Sequence, residues 1–428
     1  MRKKTLDVIL VGAGSRGRGY ADLMARNDDF RIVAVADPIP EPRAYVAKLH
    51  GIPQDRCFTT WEDVLSLPKF ADVVIVSTQD QYHHDPAMAA IRAGYDLLLE
   101  KPIAPTAQEC VEIANLAKEM GTKALVCHVL RYTPFFGTLK ALIARGDIGD
   151  VLVIDHIEGV GNVHQSHSYV RGNWGNLSRS SPMILAKSCH DMDIIQWLMG
   201  SSCTKVHSFG SLSHFTAKNA PEGAPERCID GCPHGESCYY NAVKLYLEDE
   251  DNKWFREAST GVTAPTNAQV EQVLRTTQYG KCVYKCDNDV VDHQVVNMEF
   301  ENGQTASFTM SAFTHMHRNI RIMGTKGEIW GNMEQNTIQK FDFATNQITE
   351  VSANDAALGI SHADGHGGGD AGVVNALYRY LTGQVGPEAL SELGISARNH
   401  MIAFAAEKSR TEGKVICMEE FQKELGLA

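Results

Sequence analysis

Residues Val8-Ile9-Leu10-Val11-Gly12-Ala13-Gly14-Ser15-Arg16-Gly17 carry an apolar, β-branched run straight into a GxGxxG pattern. A strand, a glycine turn and then a helix is the context in which this pattern has meaning. Gly12 permits the tight turn, Gly14 lets a backbone approach a pyrophosphate, and Gly17 lets helix pack on strand, while the helix N-terminus at Ser15 and Arg16 offers unpaired N–H groups. Asp37 ends the next β-branched run, 20 residues after Gly17, where a carboxylate can accept hydrogen bonds from an adenosine ribose. Its charge would repel a 2′-phosphate, so NAD is favoured. Arg16 and Arg43 could each reach such a phosphate, which keeps NADP open. The competing reading is a glycine turn in a doubly wound domain that holds no nucleotide.

Working outward, strand patterns at Asp7 to Val11, Arg31 to Ala36, Asp72 to Ser77, Asp96 to Glu100 and Lys123 to Val129 alternate with helical spacing at Arg18 to Arg26, Pro42 to His50, Asp85 to Ala93 and Thr106 to Met120. This is the rhythm of a parallel sheet covered on both faces. Beyond Val129 the rhythm changes. A helix from Pro134 to Arg145, a Gly146 to Gly149 turn and a strand from Val151 precede strand patterns at Lys205 to Leu212, Gln294 to Phe300, Thr305 to Met310, Asn319 to Met323 and Thr337 to Phe343, with helices between Ala186 and Met199 and from Asp370 onward. Turns such as Glu301-Asn302-Gly303 suit hairpins. The expected fold is α/β: a Rossmann dinucleotide-binding domain over residues 1–128, then an α+β domain over 129–428 with a large, mostly antiparallel open sheet.

The 428 residues are 43% hydrophobic and 21% charged, enough to bury a large core and, at ~150 residues per domain, to make two or three units. A formal net charge of -12 leaves no excess of Lys and Arg for a nucleic acid. Asp7 interrupts the apolar run after Met1-Arg2-Lys3-Lys4, and no run of ~18 apolar residues occurs, so no membrane partner and a cytoplasmic address are expected. The 11 cysteines are odd in number, which suits free thiols better than a disulfide framework. Cys228, Cys232 and Cys238 cluster within eleven residues rich in Gly and Pro. Structural zinc on these three, with Cys282, Cys286 or His234 as a fourth ligand, stands there beside plain free thiols and redox chemistry.

The GxGxxG segment, Ser77-Thr78-Gln79 with His83 beyond, and Glu100-Lys101-Pro102 closing a strand together resemble the Gfo/Idh/MocA oxidoreductase family. Leu130-Arg131-Tyr132-Thr133-Pro134 and His190 to Asp193 extend the resemblance over nearly the whole chain. The resemblance implies NAD bound by Gly12, Gly14, Ser15, Arg16, Gly17, Asp37, Ser77, Thr78, Gln79, His83, Glu100 and Lys101, with Lys101 beside the nicotinamide and His190 as general base. It further implies a homodimer or homotetramer. Position in the sheet agrees for Lys101, since open α/β sheets bind ligands at the C-terminal ends of their strands; the bland alternative is a surface lysine. For His190 the alternative is a packed histidine bonded to Asp193.

One departure stands out: the family's Asp four residues before this histidine is Ala186 here, with Lys187 beside it as a third catalytic candidate. Arg131, Arg171, Trp174, Asp191 and His366 are the expected substrate contacts, polar groups for hydroxyls and an indole for a sugar ring face. The turn Gly365-His366-Gly367-Gly368-Gly369-Asp370 resembles one in NAD-dependent glycoside hydrolases of the same superfamily, or is a helix entry with Asp370 as N-cap. Two activities follow. The first is hydride transfer between NAD and a secondary alcohol of a sugar, cyclitol or sugar derivative; the second is glycoside cleavage through transient oxidation and elimination.

Overall fold

A computed structural model describes residues 4–353 and 365–426. The first half is a six-stranded parallel sheet built from β1 (Leu6–Val11), β2 (Phe30–Ala36), β3 (Cys57–Phe58), β4 (Val73–Val76), β5 (Asp96–Leu99) and β6 (Ala124–Val126), in the order β3-β2-β1-β4-β5-β6. The chain reverses direction of growth between β1 and β4, which opens a crevice at the C-terminal strand ends where dinucleotides bind in such sheets. β4 is buried along its whole length, which explains its unbroken Val-Val-Ile-Val run: both faces are covered, so no polar alternation survives.

The second half holds β7 (Val151–Gly159), β8 (Cys203–Ser211), β9 (His293–Phe300), β10 (Thr305–Ser311), β11 (His317–Gly324), β12 (Gly327–Asn332), β13 (Thr337–Asp342), β14 (Gln347–Ser352) and β15 (Ile416–Cys417). They form one sheet ordered β14-β13-β12-β11-β7-β10-β9-β8-β15, antiparallel throughout except between β7 and β10. Along β9 burial alternates strictly. The inward residues Val296, Met298 and Phe300 join a core with the helices Cys189–Met199 and Leu393–Glu412, while Leu152, Ile157, Val295 and Ile348 stand exposed on the other face. β12 and β14 went unread in the sequence because both alternate weakly and carry glycine or charge.

The first sheet ends with β6 at Val126 and the second begins with β7 at Val151, yet one late helix crosses back in space. The helix Gly369–Leu381 packs Val373, Leu377 and Tyr378 against Leu6, Val8 and Ile32 of the first sheet, and Tyr378 donates to the Lys4 carbonyl at 2.9 Å. Between β8 and β9 some eighty residues form an insertion with the helices Lys253–Thr260 and Asn267–Thr276. Its contacts reach both the second sheet's end and the first domain, where Thr263 accepts from Arg18.

Candidate active site

The glycines act as their positions require. Gly12 has φ +88, and a Cβ there would lie 2.7 Å from the Ser77 carbonyl. At Gly17 a Cβ would stand 2.0 Å from the Gly12 oxygen. Gly14 differs: a Cβ would meet nothing within 4 Å, so the protein itself does not need a glycine there, and the bare space lies at an exposed helix start with no side-chain cap. A pyrophosphate fits that cradle. Asp37 is buried and accepts from the Ala13 and Ile39 N–H groups at 2.6 and 2.8 Å, which ties the end of β2 to the glycine loop. Ser77 donates to the Gly12 oxygen at 2.8 Å, Thr78 is half-buried, and Gln79 is exposed at the crevice.

Several expected cofactor contacts are instead spent inside the protein. Arg16 gives its Nε to Glu100 at 2.7 Å and its Nη2 to Asp370 at 2.9 Å, so its guanidinium is engaged by two carboxylates of the protein itself. Glu100 also takes the Tyr20 hydroxyl at 2.5 Å and the Lys101 N–H at 3.0 Å. Burial pushes this carboxyl up, but Arg16, Tyr20 and Lys101 outweigh it and hold it below its ordinary range. Both ring nitrogens of His83 meet backbone carbonyls, Pro102 at 2.7 Å and Thr78 at 3.1 Å. Within the protein Glu100 and His83 brace the turn bearing Lys101.

Lys101 leaves the C-terminal end of β5 and donates its amine to the Ala186 carbonyl at 2.9 Å. Residue 186, an alanine, thus meets Lys101 through its backbone oxygen and offers His190 no carboxylate. His190 sits in the first turn of the helix Cys189–Met199, 7% exposed, with Nδ1 buried and unpartnered among the described residues. Burial drives its pKa well down, and the positive charge of Lys101 adds to the effect, as do His128, Arg318 and His366. Asp193 does not hold it: that carboxylate is taken by Arg131 at 2.6 and 2.8 Å and by Asn399 at 2.7 Å.

Three expected substrate contacts are buried and partnered within the protein. Arg131 is buried, with its fork closed on Asp193 and its Nη1 on the Leu390 carbonyl. Arg171 is fully buried and donates to the Lys281 and Tyr240 carbonyls at 2.9 and 2.7 Å, fastening the insertion. Asp191 lies beneath the cleft, accepting from His156 at 2.8 Å and Arg318 at 3.1 Å. Lys187 turns inward at the break between the helices Met183–Ala186 and Cys189–Met199 and pairs with Glu158 at 3.2 Å; burial lowers its pKa although Glu158 opposes this. Glu158 also meets Arg318 at 2.6 Å, so two acids and two bases neutralise one another in the floor.

Three histidines were not singled out in the sequence. His128 follows β6, stacks edge-on against His190 at 5.6 Å, and burial lowers its pKa to about 4. His400 lies behind it at 5.1 Å. His164, on the short helix Asn162–Gln165, has its pKa driven down by burial and by the charge of Lys187, and its ring meets Trp254 of the insertion at 5.2 Å. Trp174 is half-buried and donates to both Asp80 oxygens at 3.2 and 3.1 Å, joining the two domains at the cleft edge. No local pattern marks His164 or His128, because the end of β6 carries one and a short helix the other, with no motif around either.

The zinc expectation receives no support. Among the described residues no group of three or more His, Cys, Asp or Glu is disposed to hold a metal, and all 11 cysteines are free thiols. Cys228, Cys232, Cys238 and Cys282 line a small space with Tyr240 and Val283, and burial pushes the Cys238 and Cys282 thiols up. Nor is Asp370 the helix N-cap: that position is Gly368, with φ +89. No described helix is long and apolar enough to cross a membrane.

A family profile described as an oxidoreductase family with an NAD-binding Rossmann fold matches residues 6–128, and its C-terminal alpha/beta domain matches residues 140–361. An inositol 2-dehydrogenase of Corynebacterium glutamicum is 26% identical over 205 residues, 47% of this chain and 57% of that protein. A 2,7-anhydro-N-acetylneuraminate hydratase of Mediterraneibacter gnavus is 30% identical over 207 residues, 48% of this chain and 53% of that one. The matched segments thus span little over half of either relative. Levoglucosan dehydrogenase, solved with NADH and levoglucosan, superposes with a TM-score of 0.70 at 18% identity, covering 97% of this chain and 100% of that chain.

Proposed function

Because this chain belongs to the Gfo/Idh/MocA oxidoreductase family, both of whose domains it carries, we propose that it transfers hydride between NAD and a secondary alcohol of a sugar or cyclitol. The observation that carries the proposal is the placement of Lys101 and His190 together at the strand ends that the glycine loop overlooks. Gly12 to Gly17 would hold the pyrophosphate and Asp37 the adenosine ribose. Asp37 and the commitment of Arg16 to Glu100 and Asp370 favour NAD over NADP. NAD supplies the hydride acceptor when bound.

The chain's own groups handle the proton. Burial, with the charge of Lys101, lowers the pKa of His190 and so favours the neutral imidazole, the form that can accept the hydroxyl proton. The Lys101 amine, oriented by the Ala186 oxygen, donates to the same substrate oxygen and steadies charge as it develops. Lys187, paired with Glu158, serves as an orienting cation in the floor rather than as a base. Trp174 and His164 offer ring faces, and the relatives' inositol and levoglucosan substrates are of the class such a cleft suits. The test is absorbance at the NADH band with a panel of inositols, levoglucosan and aldoses. NAD binding without reduction by any member counts against the proposal.

Ala186 supports a second reading. Without a carboxylate beside His190 the site resembles less closely one built for simple oxidation, and the hydratase relative acts on an anhydro sugar. Oxidation followed by elimination would cleave aryl glycosides with no net NADH. The open face of the nine-stranded sheet, with Leu152, Ile157 and Ile348 exposed, suits a homodimer or homotetramer.

A further inference from the structure

The insertion between β8 and β9 carries a tryptophan that is at once uncovered and firmly held. Trp254, in the first turn of the helix Lys253–Thr260, is 48% exposed. Rings support it from behind, with centroids 5.2 Å away at His164, 5.1 Å at His167 and 4.9 Å at Phe255. His167 is itself fixed: it stacks on Phe255 at 4.4 Å with the planes 13° apart, and its Nδ1 is hydrogen-bonded to the Tyr246 hydroxyl at 2.8 Å. Both His167 and Tyr246 belong to π-helical turns, Ser166–Arg171 and Val243–Glu248, a rare geometry that gathers at functional sites. A side chain already immobilised loses little entropy when a ligand covers it.

Trp254 also ends a row of rings. From it the row passes to His164, then to Tyr169 at 5.9 Å and to Trp174 at 6.1 Å. Trp174 donates to Asp80, just beyond β4, so the inner end of the row stands at the strand ends that face the cofactor crevice. The helix that bears His164 begins shortly after β7, whose Glu158 pairs with Lys187, next in sequence to the residue that orients Lys101. At the other end of the Trp254 helix, past its cap Gly261, Thr263 accepts from Arg18 on the helix Ser15–Met24, so the insertion bridges the two domains beside the glycine loop. Four rings in file are longer than one six-membered sugar ring can cover.

Resting on the proposed hydride transfer, we infer that Trp254 is the platform of a second, distal subsite, and that the substrate is a saccharide of at least two rings. The reacting ring lies by Lys101 and His190, and the next ring lays its apolar C–H face on the indole. No bond of that distal ring forms or breaks. Trp254 therefore sets which sugars are held, and its contribution falls on binding rather than on the chemical step.

The test pairs cellobiose, maltose and lactose with their component aldoses, following NADH formation by the unaltered protein, Trp254→Ala and Trp254→Phe. For the best pair, kcat/KM should favour the two-ring sugar, and Trp254→Ala should lower that preference about three- to tenfold, with the loss in KM. Trp254→Phe, which keeps an aromatic face, should retain most of the preference. A preference unchanged in Trp254→Ala, or a protein that oxidises single rings and none of the two-ring sugars, overturns the subsite. If no sugar reduces NAD, the proposed activity fails by itself, and the subsite is judged by calorimetric titration of the protein loaded with NAD. Tighter binding of a two-ring sugar than of its component aldose, with the difference lost in Trp254→Ala, upholds the subsite; equal binding or none overturns it.

Discussion

Gly14 and Gly17 stand three residues apart in one loop, yet alanine at each should fail for opposite reasons. Gly14 has φ -64 and is the helix N-cap, so alanine can adopt its backbone, and the added Cβ meets no protein atom within 4 Å. Replacing glycine at an N-cap by alanine costs up to ~1 kcal/mol. The methyl group does, however, fill the space assigned to a pyrophosphate. Losing one charge-assisted N–H contact to phosphate is worth about 1.5–3 kcal/mol, so Gly14→Ala should bind NAD ~10- to 100-fold more weakly. At Gly17 the Cβ would stand 2.0 Å from the Gly12 oxygen and 2.9 Å from Ser77 Oγ. Helix and loop would have to part, an overpacking cost of about 1–3 kcal/mol or more. Urea unfolding without ligand and calorimetric titration with NAD separate the two effects. Gly14→Ala with wild-type NAD affinity would refute the assignment of that space to the cofactor, and Gly17→Ala with unchanged stability would refute the packing account.

Lys101→Ala should lower NADH formation by ~100-fold or more while leaving the urea midpoint near that of the unaltered protein, because the amine makes one bond to a carbonyl; undiminished turnover would remove it from the reaction. Asp193→Asn strands the buried Arg131 guanidinium, and a loss of about 3–5 kcal/mol in unfolding free energy is expected. The same carboxyl gives a pH dependence. Arg131 and its other partners outweigh burial and hold its pKa at about 2 against an ordinary 3.8. A depressed pKa means stability that is present above the unfolded value and lost as pH falls toward the folded one, so unfolding curves should weaken between about pH 4 and about pH 2, and Asp193→Asn should lack that component. Metal analysis of fresh protein should find no stoichiometric zinc, with chelator leaving the melting curve unmoved; one zinc per chain would overturn the reading of the cysteines as free thiols.

Sequence alone settled what depends on neighbours along the chain. The run from Val8 to Gly17 with Asp37 specified a strand, a turn and a helix start, because φ preferences and close backbone approach are local constraints that few residues other than glycine satisfy. Periodicity likewise located most strands of both sheets within a residue or two, since a half-buried strand must alternate and a doubly covered one must not. The direction of long polar side chains was different. Arg131, Arg171, Glu100 and His83 have the residue types of a binding site, but each is consumed by a partner far away in sequence: Asp193, Lys281, Arg16 and Pro102. Conversely, His128 and His164 come from two separate elements with no shared motif. A buried charge must find its counter-charge wherever the fold supplies one, and that choice belongs to the tertiary structure. Sequence therefore determined where a dinucleotide would lie, and the packed chain decided which polar groups were left free to meet a substrate.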